Sequence, residues 1–299
     1  MPLTYSKNSL TLPSLTKDNY YFVGWFTEDG DKVESIPFGT SKVYASFVNS
    51  LTVKSGDCTA YKGEFSDFAS AFTFAKEIVN ETLNNATINL TSKVTFNHAT
   101  SFEVPTGKTI TLKRASGNSD YLLYNSDSSQ GVIINSDTGG QLILDGGKIE
   151  GLSGKSLIYA NTDFTMYNTT LQNNQSSENG GGFYNANDGA NSKIYDCTFD
   201  NCHTATKGGA AYFQADVTLS NTTIQNCHAG TNGGGIYCYP ANNSRTISII
   251  NNSSITNCTV GTDNTVQQIY FDTNNSFHCK LKTSSDGIAT QHEGAVTLP

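Results

Sequence analysis

Positive charge, arginine above all, is scarce in this 299-residue chain. Its 18 Lys and Arg stand against 26 Asp and Glu, a net charge of −8, and the only guanidinium groups are Arg114 and Arg245. Without a Lys/Arg cluster to neutralise phosphates, nucleic acid is not an expected partner. No apolar run approaches the roughly 18 residues needed to cross a bilayer, so no membrane insertion is expected within the chain. Met1-Pro2-Leu3-Thr4-Tyr5 lacks the basic-then-apolar layout of a secretion signal, so a secreted protein would carry that signal ahead of Met1. The seven cysteines contain no CxxC pair, which argues against zinc, and their odd number leaves at least one thiol free or bonded to another chain. Asn, Ser, Thr and Gly are abundant where charge is sparse. That balance points to an extracellular or cell-surface protein and away from a cytosolic helical enzyme.

What the chain does contain is a repeat. Lys155-Ser-Leu-Ile-Tyr159, Gly180-Gly-Gly-Phe-Tyr184, Gly208-Gly-Ala-Ala-Tyr212, Gly233-Gly-Gly-Ile-Tyr237 and Val266-Gln-Gln-Ile-Tyr270 align, and Asp120-Tyr-Leu-Leu-Tyr124 reads as a looser copy. Between them runs a second strip, Phe164–Leu171, Lys193–Phe199 and Val217–Ile224, each alternating apolar and polar. These strips close on Asn173-Asn174, Asn201-Cys202, Asn226-Cys227 and Asn257-Cys258. A period near 25 residues with two or three short alternating strands cannot bury its apolar face alone. Coiling stacks each inward residue on its equivalent about 4.8 Å away. Asparagines at the bends can then bond one another in a ladder, and glycine pairs let the corner turn. The period of two excludes ankyrin- or TPR-like helical stacks. The expected thiols at Cys202, Cys227 and Cys258 are free, filling one rung position of the core.

Upstream, Phe68, Ala71, Phe72, Ala75, Ile78 and Val79 form one helical face within about 65–79, with Ser66 as the N-cap. Such a helix can cover the raw strand edge of a first coil. Strand-like segments follow at Ala86–Leu90 and Ser101–Leu112.

The order of helix, Ile-Asn-Leu-Thr strand, Pro105-Thr-Gly-Lys-Thr-Ile-Thr-Leu112 strand and Gly-Gly coils resembles the pectin-lyase-like superfamily. Within it, Gly208-Gly-Ala-Ala211, its Gly-Gly-Gly counterparts and Leu171-Gln-Asn-Asn174 are most similar to the Gly-Gly-Ala-aliphatic and Phe-x-x-Asn passenger repeats of polymorphic outer-membrane proteins, which are adhesins. The resemblance implies an all-β fold, a right-handed parallel β-helix over 51–299 with an N-terminal capping helix. Tyr20-Tyr-Phe-Val-Gly-Trp-Phe26, Ser35–Thr40 and Val43–Phe47 are similar to the Listeria–Bacteroides (internalin B-type) surface repeat. That likeness implies a small β-grasp-like module over 1–48, with Trp25 in its core.

Enzymes exist on β-helices, so chemistry has to be weighed. A hydrolase needs carboxylates converging about 5–9.5 Å apart, and a lyase needs acidic residues for calcium and a base. Asn161-Thr162-Asp163 resembles the start of the polygalacturonase motif, but Phe164 replaces its glycine and the companion motifs are missing. Asp145, Asp163, Asp188, Asp196, Asp200 and Asp216 are scattered between strips, and Arg245 has no acidic neighbour in sequence. His203 and His228 lie one repeat apart, each after a ladder cysteine, yet no third ligand type accompanies them, so no metal is expected. No catalytic residue and no cofactor are assigned. Alternation instead places an apolar residue inside and Tyr159, Tyr184, Tyr212, Tyr237 and Tyr270 outside, a candidate ligand-binding column for sugar rings or a protein. The function expected is that of a non-catalytic adhesin or interaction scaffold whose partner is a host or bacterial surface protein or glycan. The alternative is a polysaccharide-active lyase or glycoside hydrolase, or a carbohydrate-binding β-helix.

Overall fold

The structure, a computed structural model, describes residues 10–16, 21–27, 32–36, 42–48, 51–55, 68–81, 84–90, 94–96, 102–114, 123–125, 132–134, 139–150, 154–274, 276–284 and 289–298. From Leu51 onward the strands stack almost entirely in parallel into a β-solenoid of about 5 turns. One wall is a seven-stranded sheet: Val132–Ile134, Ile158–Ala160, Phe183–Asn185, Ala211–Phe213, Ile236–Cys238, Ile269–Phe271 and Gly294–Val296. The remaining walls belong to a larger sheet that includes Gln141–Glu150, Phe164–Ser176, Thr198–Thr204 and Arg245–Ile250. Inward positions are apolar and closed to water. Ile158, Phe183, Ala211, Ile236 and Ile269 line one wall and Met166, Ile194, Leu219 and Ile249 another.

Each turn bends twice at an asparagine or aspartate in the left-handed region. One file of bends is Asn168, Asp196, Asn221 and Asn251; the other is Asn173, Asn201, Asn226 and Asn257. Asn tolerates that backbone far better than other side-chain-bearing residues do. The amides also bond between turns: Asn201 Nδ2 donates to Asn173 Oδ1 at 2.9 Å and Asn257 Nδ2 to Asn226 Oδ1 at 3.4 Å. The ladder is mixed, because Asn226 donates to Asp200 Oδ1 at 2.9 Å and Asn221 to Asp196 Oδ1 at 2.6 Å. After most of these bends the next residue turns inward and bonds the carbonyl two residues back. Thr169 Oγ1 does so at 2.7 Å, Thr222 Oγ1 at 3.1 Å, Cys197 Sγ at 3.1 Å and Cys227 Sγ at 3.1 Å. A small OH or SH there finds a buried acceptor in the carbonyl next to the bend. The recurrent Asn-Thr and Asn-Cys dipeptides therefore have a single structural origin.

Cys197, Cys202, Cys227 and Cys258 are buried free thiols, and Cys238 is bonded to Cys279 across 41 residues of sequence. That disulfide joins the seven-stranded wall to the larger sheet. Burial pushes the Cys197 thiol up to about 12, so it stays protonated and unreactive.

The helix is Phe68–Glu81; Ser66 and Cys58 lie outside the described residues. Its apolar face is the expected one, with Phe68 and Phe72 meeting Phe102 at ring-centroid distances of 5.7 and 5.1 Å. It packs on the first stacked strands, Leu51–Ser55, Asn85–Leu90 and Thr109–Arg114. Phe102 and Val104 are buried but not in a strand; only Thr109–Arg114 of that expected strand forms. Among residues 10–48, Tyr21–Phe26 pairs antiparallel with Tyr44–Val48 and with Lys32–Val33, and Leu10–Thr11 pairs with Ser35–Ile36. Trp25 is half-buried where a core position was expected, and its Nε1 donates to Pro13 O at 2.7 Å.

Candidate functional site

The tyrosines form one continuous outward file on the seven-stranded sheet. Tyr159, Tyr184, Tyr212, Tyr237 and Tyr270 are register partners in turn, with successive ring centroids 5.2, 5.1, 5.1 and 5.4 Å apart. Tyr124 is not in this file: Leu123–Asn125 pairs in the larger sheet, and Ile133 occupies the place next to Tyr159. The Leu-Tyr pattern there fits either wall, and spacing alone did not distinguish them.

Ring orientation decides what the file can offer. Tyr212, Tyr237 and Tyr270 stack nearly parallel, at 15° and 6°. Their faces are taken up by each other, and Tyr212 and Tyr237 are only 5% and 0% exposed. This corrects the expectation of open rings at those two positions: outward on a stacked wall is not the same as accessible. Tyr184 stands at 80° to Tyr159 and 88° to Tyr212, and is half-buried, as are Tyr159 and Tyr270. Tyr184 is therefore the ring that is set perpendicular to the stack.

A polar cluster closes the far end of the file. Lys207 Nζ donates to Tyr237 Oη at 2.8 Å and lies 3.8 Å from Asp272 Oδ2, while Tyr237 Oη donates to that same carboxylate. Burial, and then the bond to Asp272, holds the Tyr237 hydroxyl well above its ordinary range. Burial does the same at Tyr212 and Tyr184. Lys207 and Asp272 could have been suspected only from a register linking residues 65 apart.

The scattered carboxylates hold turns together. Asp163 Oδ1 accepts from Asn191 N at 2.8 Å, Asp216 Oδ1 from Thr246 N at 2.8 Å, and Asp145 pairs with Lys113 at 3.1 Å. Arg245 does have an acidic neighbour in space: Asp188 lies 3.4 Å away, and the guanidinium side chain is 11% exposed. Beside Asp163, a shallow groove of about 280 Å³ is lined by Asn161, Thr162, Asn187 and glycines. His203 and His228 stand opposite each other on the outer side of the larger sheet, ring centroids 5.9 Å apart. Burial, and then the neighbouring His203, lowers the pKa of His228 below its ordinary value. Among the described residues no group of three or more His, Cys, Asp or Glu side chains converges on a metal position. Also among them, no helix is long and apolar enough to cross a membrane.

Compared with protein-family models, curated proteins and solved structures, the chain matches none of them.

Proposed function

We propose that this chain is a non-catalytic binding scaffold, secreted or displayed on a cell surface, acting as an adhesin toward a surface glycan or protein. In this reading the solenoid is a right-handed β-helix, the hand that parallel crossovers take almost without exception. The helix Phe68–Glu81 caps its first coil, the residues ahead of it form a β-grasp-like module, and the repeats are similar to the passenger repeats of outer-membrane adhesins. The observation that carries the proposal is the tyrosine file, in which the half-buried Tyr159, Tyr184 and Tyr270 reach the surface on either side of the covered Tyr212 and Tyr237. The disulfide between Cys238 and Cys279 supports an oxidising, extracellular setting. The groove at Asn161–Asp163, with its amides, hydroxyl and carboxylate, favours carbohydrate among the ligand classes and keeps a polysaccharide-active enzyme as the second reading.

Tyr184→Ser tests the idea at the ring best turned for a face contact. It should weaken attachment to a glycan array or to cells about fivefold, roughly 1 kcal/mol for one aromatic contact. Tyr195→Ser serves as the control, since Tyr195 stacks with Tyr167 on another wall. Equal attachment by the folded Tyr184→Ser and control variants would remove the file from the binding face. Turnover of uronate or neutral glycans would favour the enzyme.

A further inference from the structure

Alternation sends the two members of each Cys-His dipeptide to opposite sides of the wall. Cys202 and Cys227 enter the core, while His203 and His228 face outward. A mixed Cys/His metal rung is thereby excluded, and a different arrangement takes its place. His203 lies directly opposite His228 in parallel register, its ring inclined at 67° to its partner's. Gln175 precedes His203 in the same file and Thr259 follows His228. His228 Nδ1 is 2.9 Å from Thr259 Oγ1. With its proton on Nδ1, the ring donates to that hydroxyl and keeps the Nε2 lone pair free. A metal-binding imidazole is held in this way, one nitrogen ligating and the other fixed by a hydrogen bond.

We propose that His203 and His228 form a two-imidazole site for a late first-row divalent cation, Cu(II) foremost, with water in the remaining positions. Imidazole suits Cu, Ni and Zn, and Cu(II) binds tightest in that series. Metal–nitrogen bonds of about 2.0–2.1 Å need the two ligating nitrogens roughly 3 Å apart. The ring centroids stand 5.9 Å apart, so the ligating nitrogens have to close to that separation by side-chain rotation. The sheet already holds the two residues in register, so binding has little backbone to order. Gln175, the next side chain in the file, is the position from which a third ligand would reach.

Titration calorimetry of the full chain with Cu(II), Ni(II) and Zn(II) chlorides at pH 7.5 tests the site, with electron paramagnetic resonance on the copper form. One Cu(II) per chain is expected, with nitrogen splitting from two imidazoles. His203→Asn and His228→Asn should each weaken Cu(II) at least tenfold. The double variant keeps His98, His278 and His292 and so measures background. Gln175→His should tighten Cu(II) about tenfold by adding a third imidazole, which decides the matter even if a histidine variant folds poorly. Wild-type binding no tighter than the double variant, or no gain from Gln175→His, overturns the proposal.

Discussion

At the scale of single residues, the repeat is fixed by what cannot be there. Gly180, Gly208 and Gly233 adopt φ of +73°, +75° and +67° at the corner before each tyrosine strand. Their neighbours Gly181, Gly209 and Gly234 have a different reason to lack a side chain. A Cβ on Gly209 would sit 2.1 Å from the Gly234 carbonyl oxygen one turn on, and one on Gly181 would sit 2.2 Å from Gly209 O. Backbone is the obstacle, so no side chain can move aside. Gly209→Ala should cost about 3 kcal/mol, at the top of the range for overpacking. Gly189→Ala is the matched control: its Cβ would meet only Asn187 Oδ1 at 3.7 Å, and a change within about 0.5 kcal/mol is expected. Denaturant midpoints at constant slope measure both, and equal midpoints would show that the corner yields more readily than its contacts imply.

At the scale of elements, the tyrosine file couples its stability to alkaline pH. The folded-state pKa values of Tyr184, Tyr212 and Tyr237 lie above the ordinary 10.0, chiefly because burial disfavours the phenolate. An unfolded chain ionises these groups near 10 and the folded one does not, so unfolding releases protons there. Stability from these three rings is whole below pH 10 and is lost as pH rises above it. Absorbance of tyrosinate at alkaline pH should show a late stage, in which Tyr184, Tyr212 and Tyr237 ionise only with unfolding. A single smooth titration near 10 with β structure intact would contradict the assigned burial. The file also shows how far sequence reading reaches. Five tyrosines, their inward neighbours, the helix face and the asparagine bends at Asn173, Asn201, Asn226 and Asn257 were legible, because period and alternation are local. Tyr124 was misplaced because its dipeptide suits two walls. The bond between Cys238 and Cys279 and the pair of Arg245 with Asp188 were hidden, since each joins different turns at separations set by loop lengths. Exposure at Tyr212 and Tyr237 was misjudged for a related reason: side-chain direction follows from alternation, whereas cover depends on what neighbouring turns bring.

On the scale of the whole molecule, the outer edge of a stack of parallel strands is a template on which another chain can grow. Here the direction of pairing reverses. Gly294–Val296 runs antiparallel to Ile269–Phe271, and Thr290–His292 antiparallel to Phe277–Thr283. His292 stacks on Phe271 at 5.6 Å, and Val296 and Leu298 pack against the core. Ending the chain after Ser284 would retain the disulfide but bare both edges. The two edges are unequal. Phe277–Thr283 carries Lys280 and Lys282, and charge on an edge opposes pairing, whereas Ile269–Phe271 carries none. The shortened chain should therefore self-associate through the tyrosine sheet, with a mass in light scattering that rises with concentration. Adding Tyr270→Lys to it should restore the monomer by charging that edge at its centre. A shortened chain that stays monomeric without the lysine would mean that the antiparallel strands are not what keeps this end of the solenoid from growing.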